Sequence, residues 1–134
     1  GLFLSPIPDE AQAYTVGVVR DLLSRYTLDG LHLDYIRYPS PDFDVSLAAR
    51  QAFRDHLVAD LAPAELQQLE TLGRTDPLVW MRRYPERWHA FRRERLTALV
   101  RRIAAEVRAR PGVALSAAVL PDPADARDRK LQDW

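Results

Sequence analysis

Two short apolar segments govern what this chain can become. Leu31 to Tyr38 follows the turn Thr27-Leu28-Asp29-Gly30 and is closed by Pro39-Ser40-Pro41. Val113 to Leu120 follows Pro111-Gly112 and is closed by Pro121-Asp122-Pro123. Proline lacks the amide that a strand ladder needs, so both runs read as strands with hard ends. The sequence between them reads mainly as helix. A helix, a strand, a long helical connection and a second strand are the grammar of a parallel α/β sheet.

The helices are read from apolar spacing. The first is expected over Asp9 to Tyr26, opened by acidic residues that the helix dipole favours. Tyr14, Val18 and Leu22, with Val19, Leu23 and Tyr26 beside them, predict its buried stripe. Val45 to Leu61 and Pro63 to Leu72, closed by Gly73, read as two more. Pro85 to Arg110 reads as a long helix whose buried face carries Trp88, Phe91, Leu99, Val100, Ile103 and Val107, with the arginines on the other. A polar, helical segment is expected from Pro123 to Trp134. Gly1 to Ser5 reads as the end of an apolar strand. Two or three strands cannot close a barrel, and an eight-stranded one needs about 250 residues. The expected fold is therefore a partial (β/α)8 TIM barrel, with residues 1–134 as the central segment of one domain.

Composition removes several alternatives. The chain is 47% hydrophobic and 28% charged, which suits a folded domain and not a disordered one. It has no cysteine, so disulfide frameworks and thiolate metal sites are excluded. No apolar run reaches the roughly 18 residues that a bilayer span requires. The net charge is zero, but its distribution is uneven. Residues 82–110 hold 10 arginines and 3 glutamates, a local +7, whereas residues 1–80 hold 12 acids and 6 arginines, a local −6.

The first strand carries the chemistry. Alternation places Leu31, Leu33, Tyr35 and Arg37 on one face and His32, Asp34, Ile36 and Tyr38 on the other. The leucines suit packing against helices, which turns His32 and Asp34 into the barrel. A carboxylate there is costly unless paired or solvated. It also sits near the strand's C-terminal end, where barrel enzymes build their sites. Burial cost and position together favour a functional Asp34 over the plainer alternative, a structural carboxylate that pairs with an arginine such as Arg37 or caps a loop.

The run Asp29-Gly30-Leu31-His32-Leu33-Asp34-Tyr35-Ile36-Arg37-Tyr38-Pro39 resembles the signature of the glycosyl-hydrolase-like family 10 proteins. Tyr26 before Asp29-Gly30, Trp88 with Phe91-Arg92-Arg93, Leu99 to Ile103, Pro111 to Val119 and Gln132-Asp133-Trp134 are similar to the same family, so the resemblance spans most of the chain. It implies a bacterial TIM-barrel protein, exported or lipid-anchored, with cell-wall or other glycans as substrates. Many relatives carry two adjacent aspartates at the strand end, whereas Tyr35 stands at the second position here.

Glycoside hydrolysis normally uses two carboxyl groups flanking the scissile bond. Asp34 is the catalytic candidate, as nucleophile or acid/base, and Asp122, following the second strand, is the candidate partner. Asp42 and Asp44, in the loop after the first strand, are alternatives, though aspartates in such loops are commonly turn formers. His32, Arg37 and Tyr38 are expected to contact substrate. For Tyr35, packing under the following loop is the better account. Trp80, Trp88 and Trp134 are possible sugar platforms, Trp88 more naturally core.

The expected activity is hydrolysis of O-glycosyl bonds in a bacterial polysaccharide such as the peptidoglycan glycan strand. No cofactor, no metal and no nucleic-acid partner are expected, and no membrane insertion in this segment. Location outside the cytoplasm (periplasmic, lipid-anchored or secreted) follows from the resemblance alone. Rival readings are a carbohydrate-binding barrel without catalysis, a metal-dependent hydrolase using His32 and the loop aspartates, and a binding module built on the basic helix. The isolated segment is expected to be inactive, because its sheet edges stand open.

Overall fold

The computed structural model describes residues 3–133. The expected strand end at Gly1 and Leu2, and Trp134 as a sugar platform, lie outside the described residues. The elements in chain order are α1 (Asp9–Arg25), β1 (Gly30–Leu33), α2 (Leu47–Val58), α3 (Pro63–Gly73), α4 (Val79–Arg83), α5 (Pro85–Arg108), β2 (Ala114–Ala117) and α6 (Pro123–Lys130). The two strands pair in parallel, with Gly30 opposite Ala114, Leu31 opposite Leu115, His32 opposite Ser116 and Leu33 opposite Ala117. The fold is thus helix-rich α/β with a two-stranded parallel sheet.

Local chemistry explains most boundaries. Pro63 and Pro85 open α3 and α5, where a missing amide costs nothing. Ser46 caps α2 by accepting a hydrogen bond from the Ala49 amide at 3.2 Å. Asp44 holds that cap by accepting from the Ser46 amide at 2.7 Å and from its hydroxyl at 3.0 Å. The helix therefore begins at Leu47, not Val45. Gly112, at φ 86°, turns the chain into β2. Gly30 admits the partner strand, because a β-carbon there would lie 3.3 Å from the Ala114 carbonyl oxygen.

Two apolar clusters hold the chain together. One lies beneath the sheet: Val16, Val19 and Leu23 of α1 meet Leu99, Ile103 and Val107 of α5, with Leu31, Leu33 and Leu115 packed on them. The other fills a lobe built mainly by α2 to α5, around Phe53, Leu57, Trp80, Trp88 and Phe91. Phe53 is fully buried, its ring centroid 4.9 Å from that of Trp88 and 5.5 Å from that of Phe91. Ile36 touches both clusters. Trp80, which the sequence leaves unplaced, is core on the short α4, and Trp88 is core as its stripe implies.

Five further expectations are corrected. The buried stripe of α1 is Gln12, Val16, Val19 and Leu23, while Tyr14 and Tyr26 stand 68% and 61% exposed. The two stripes differ by a small rotation, and buried Gln12 decides between them. Its amide donates to the Pro6 and Arg95 carbonyls at 2.7 and 3.0 Å, and its oxygen accepts from Arg102 at 3.2 Å. A fully bonded amide is compatible with burial, so a polar residue sits where an apolar one was expected.

The first strand ends at Leu33, five residues before Tyr38, and β2 ends at Ala117, before Leu120. Tyr35 adopts a left-handed conformation at φ 55°, which no continuing strand allows. Arg92 does not join the other arginines in solvent. It is 1% exposed, lies 4.8 Å over the Trp88 ring, and donates to the Pro41 and Phe43 carbonyls. Finally, α6 stops at Lys130, because Leu131 takes a left-handed cap at φ 55°.

The basic C-terminal half meets the acidic N-terminal half directly. Arg95 pairs with Asp9, Arg82 with Asp76, Arg87 with Asp60 and Arg83 with Glu65, while Arg20 forks onto Glu106 at 2.6 and 3.1 Å. These pairs are largely solvent-exposed and individually worth little. Of the arginines on α5, Arg87 and Arg95 are paired in this way.

Candidate active site at the strand ends

The sheet has one helix-covered face and one open face. Leu31, Leu33 and Leu115 take the covered face. Alternation then puts His32 and Ser116 on the open face, where both are exposed and directly opposed. The His32 Nδ1 lies 2.9 Å from the Ser116 hydroxyl. That bond orients the imidazole, and among the described residues its Nε2 has no partner. Ser116 had no role in the sequence reading. Strand alternation along Val113 to Leu120 is the signal that marks it.

Asp34 is the first residue beyond β1, exposed at the strand's C-terminal end. Its Oδ1 accepts a hydrogen bond from the Tyr35 amide at 2.8 Å, which pins the carboxylate at the turn. Oδ2 has no partner among the described residues. The chain then reverses through Tyr35, whose carbonyl accepts from the Arg37 amide at 2.8 Å.

This turn rewrites the alternation beyond Asp34. Tyr35 does not pack under the loop; it is 44% exposed and stacks on Phe3 with ring centroids 5.8 Å apart. Arg37 lies over the Tyr35 ring, its guanidinium carbon 4.4 Å from the centroid. Tyr38 goes the other way. It is 1% exposed, and its hydroxyl donates to the Arg92 carbonyl at 3.1 Å. Burial pushes its phenol well above the ordinary tyrosine range. Tyr38 is therefore a packing residue and not a substrate contact, which corrects that assignment. The reason is the lost strand register after Leu33.

The remaining carboxylates have identifiable local tasks. Asp122 caps α6, accepting from the Asp125 amide at 2.9 Å through Oδ1. Asp34 directly follows β1, whereas Asp122 stands beyond the end of β2 at the start of α6. Asp44 is 6% exposed and committed to the Ser46 cap, which withdraws it from any cleft. Asp42 is exposed in the same loop.

One further residue ties the site together. Gln132 is 4% exposed. Its amide nitrogen donates to the Ile36 carbonyl at 3.1 Å and the Ala118 carbonyl at 3.2 Å, and its oxygen accepts from the Leu120 amide at 3.2 Å. It clamps the segments leaving both strands. Lys130 adds a bond to the Pro39 carbonyl at 2.9 Å, and Arg92 grips the next loop residues. Desolvation lowers the Arg92 guanidinium to about 10.

The profile of the family described as glycosyl hydrolase-like 10 matches residues 1–134. The chain belongs to that family. Comparison with curated proteins and with solved structures gives no match. Membership fits a carbohydrate ligand. Among the described residues, no three His, Asp or Glu side chains converge as a metal site, and no helix is long and apolar enough to cross a membrane.

Proposed function

We propose that this glycosyl hydrolase-like 10 chain is the central part of a (β/α)8 barrel that hydrolyses O-glycosyl bonds in a bacterial polysaccharide. The observation that carries the reading is the open strand face: an exposed carboxylate, Asp34, at the C-terminal end of β1, beside a His32 oriented by Ser116. Ends of parallel strands are where barrel enzymes gather their reacting groups. The barrel itself is supported by what the two strands leave uncovered. The stripe Tyr14, Val18, Leu22 and Tyr26 of α1 faces solvent, and an apolar hollow of about 140 Å³ opens beside α5, lined by Ile36, Leu96, Val100 and Val119 among others. Further βα units on each flank would cover both and pair the outer strand edges.

Asp34 acts as nucleophile or acid/base, and His32 donates or accepts a hydrogen bond at a sugar hydroxyl through Nε2. Asp122, whose Oδ2 is unengaged among the described residues, is the second carboxyl. A separation of about 5–5.5 Å between the two would give retention, and about 6.5–9.5 Å inversion. Peptidoglycan glycan strands are the proposed substrate, and a location outside the cytoplasm follows from that choice.

The test incubates the intact protein and its Asp34→Asn variant with glycan strands and a polysaccharide panel, counting new reducing ends. Activity lost in a still-folded variant is expected. Equal activity in both forms moves the chemistry away from Asp34. Glycan binding without turnover in either form favours a carbohydrate-binding barrel.

A further inference from the structure

The lobe of α2 to α5 carries a hollow of about 270 Å³ that shares no residue with the strand ends. Arg50 and Arg54 of α2, Glu70 and Gly73 of α3, Arg74 at the end of α3, and Trp80 of α4 line it. Three guanidiniums thus meet one carboxylate. Arg54 is already engaged, donating to Glu70 at 2.7 Å and to Asp55 at 2.8 Å. Arg50 and Arg74 are not. Arg50 pairs with no carboxylate among the described residues and makes one long bond, from Nη1 to the Pro77 carbonyl at 3.4 Å. Arg74 is exposed, with no ion pair and no side-chain hydrogen bond among the described residues.

A separate observation comes from Trp80, which is 8% exposed. An indole carries one donor, and a buried indole ordinarily finds an acceptor for it. The Trp80 N–H meets none among the described residues. The last carbonyls of α3 already accept from backbone amides: Thr71 from Arg74, and Leu72 from Thr75 and Asp76. The indole nitrogen lies beside Gly73, where a β-carbon would stand 3.5 Å from it. With no side chain there to cover it, the N–H opens toward the hollow that Gly73 and Trp80 both line.

Two uncompensated cations and an unmet N–H therefore border one cavity. What answers all three is a small anion rich in acceptor oxygens. The donors stand on three elements and not in a single fork, which suits the oxygens of a tetrahedral anion better than the two of a planar carboxylate. We propose that this hollow binds a phosphate group, with Arg50, Arg74 and the Trp80 N–H as its donors. Arg54 and Glu70 satisfy one another, so the wall between them stays closed and the cavity keeps a net positive charge. The site is independent of the glycan reading.

The experiment titrates the intact protein with inorganic phosphate at constant ionic strength, against chloride and acetate. Binding is read from the Trp80 indole N–H resonance, assigned by its loss in Trp80→Phe, and from the melting temperature. Phosphate is expected to shift that resonance and raise the melting temperature, and chloride and acetate to do neither. Arg50→Gln and Arg74→Gln each weaken phosphate binding by roughly 10- to 100-fold, the range of a charge-assisted hydrogen bond. Arg108→Gln, which removes an exposed charge from the end of α5, leaves it unchanged. Gly73→Ala sets a methyl group against the indole N–H and weakens binding while α3 stays intact, because alanine favours the helix that Gly73 ends. Its melting temperature without phosphate checks the fold. A sugar phosphomonoester that binds more tightly than inorganic phosphate assigns the site to a phosphorylated ligand, and equal binding assigns it to the free ion. An unmoved Trp80 resonance, an equal response to acetate, or phosphate affinities in Arg50→Gln and Arg74→Gln that match Arg108→Gln overturn the proposal and leave the hydrolase reading untouched.

Discussion

Replacing Gln132 by leucine tests whether one side chain holds the two strand ends together. The change keeps much of the volume and removes three hydrogen bonds, at 3.1, 3.2 and 3.2 Å. The Ile36 and Ala118 carbonyls and the Leu120 amide lose their partner. A buried polar group left unmade costs about 1–3 kcal/mol. All three residues are half-buried, so water reaches the orphaned groups in part and the lower end applies. The expected loss is about 3 kcal/mol. Urea unfolding followed by tryptophan fluorescence measures it, since Trp80 and Trp88 lie in the core. Gln132→Glu sharpens the test, because it sets a carboxylate against two carbonyl oxygens. The introduced carboxyl would titrate above its unfolded value, so that variant regains stability as pH falls. A loss under about 0.5 kcal/mol in Gln132→Leu, within the range of a neutral surface change, refutes the clamp.

Three other outcomes follow from the geometry. Asp122→Ser keeps a capping oxygen and removes the carboxylate, so stability should hold within about 0.5 kcal/mol while reducing-end release collapses; unchanged turnover would leave Asp122 a helix cap alone. Tyr38→Phe deletes the bond to the Arg92 carbonyl and should cost about 1 kcal/mol in denaturation, with KM for glycan unmoved. Burial, and then the nearby Arg92 cation, hold the His89 imidazole below its ordinary 6.5, so the unfolded chain takes up the proton first. Stability should therefore fall as pH drops below about 6.5 and level off only below the folded value, a slope that His89→Gln flattens in pH-dependent melting.

The elements were legible wherever local chemistry set them. Prolines and glycines marked the starts of α3, α5 and β2, and the core face of α5 followed from its apolar spacing. What sequence could not give was the competition between near-equal alternatives. On α1, two apolar stripes lie side by side, and the choice depends on three partners that Gln12 finds in distant residues. After Leu33, the residues Asp34 to Tyr38 have strand-like composition, yet the Asp34 carboxylate bonds the next amide and starts a turn. His32 keeps the face that alternation gives it because it precedes that turn, and Tyr38 leaves that face for the core because it follows it. Arg92 illustrates the same limit. An arginine in a basic run reads as solvated, and only the loop carbonyls that it meets 49 and 51 residues earlier explain its burial.

The pairing of β1 with β2 has a consequence for how the molecule comes into being. His32 and Ser116 touch across a separation of 84 residues. Closing a loop of that length costs about 4 kcal/mol in chain entropy before the short ladder returns anything. The lobe of α2 to α5 lies between them with its own core, so its earlier collapse would shorten the effective loop. Contacts of such long range are slow to form and are expected late, with low φ-values in the strands and higher ones around Phe53. During synthesis the edge of β1 that takes β2 waits until β2 has emerged. The histidine–serine contact then forms after the lobe of α2 to α5, and until β2 is made the chain presents Asp34 without the partner strand beside it.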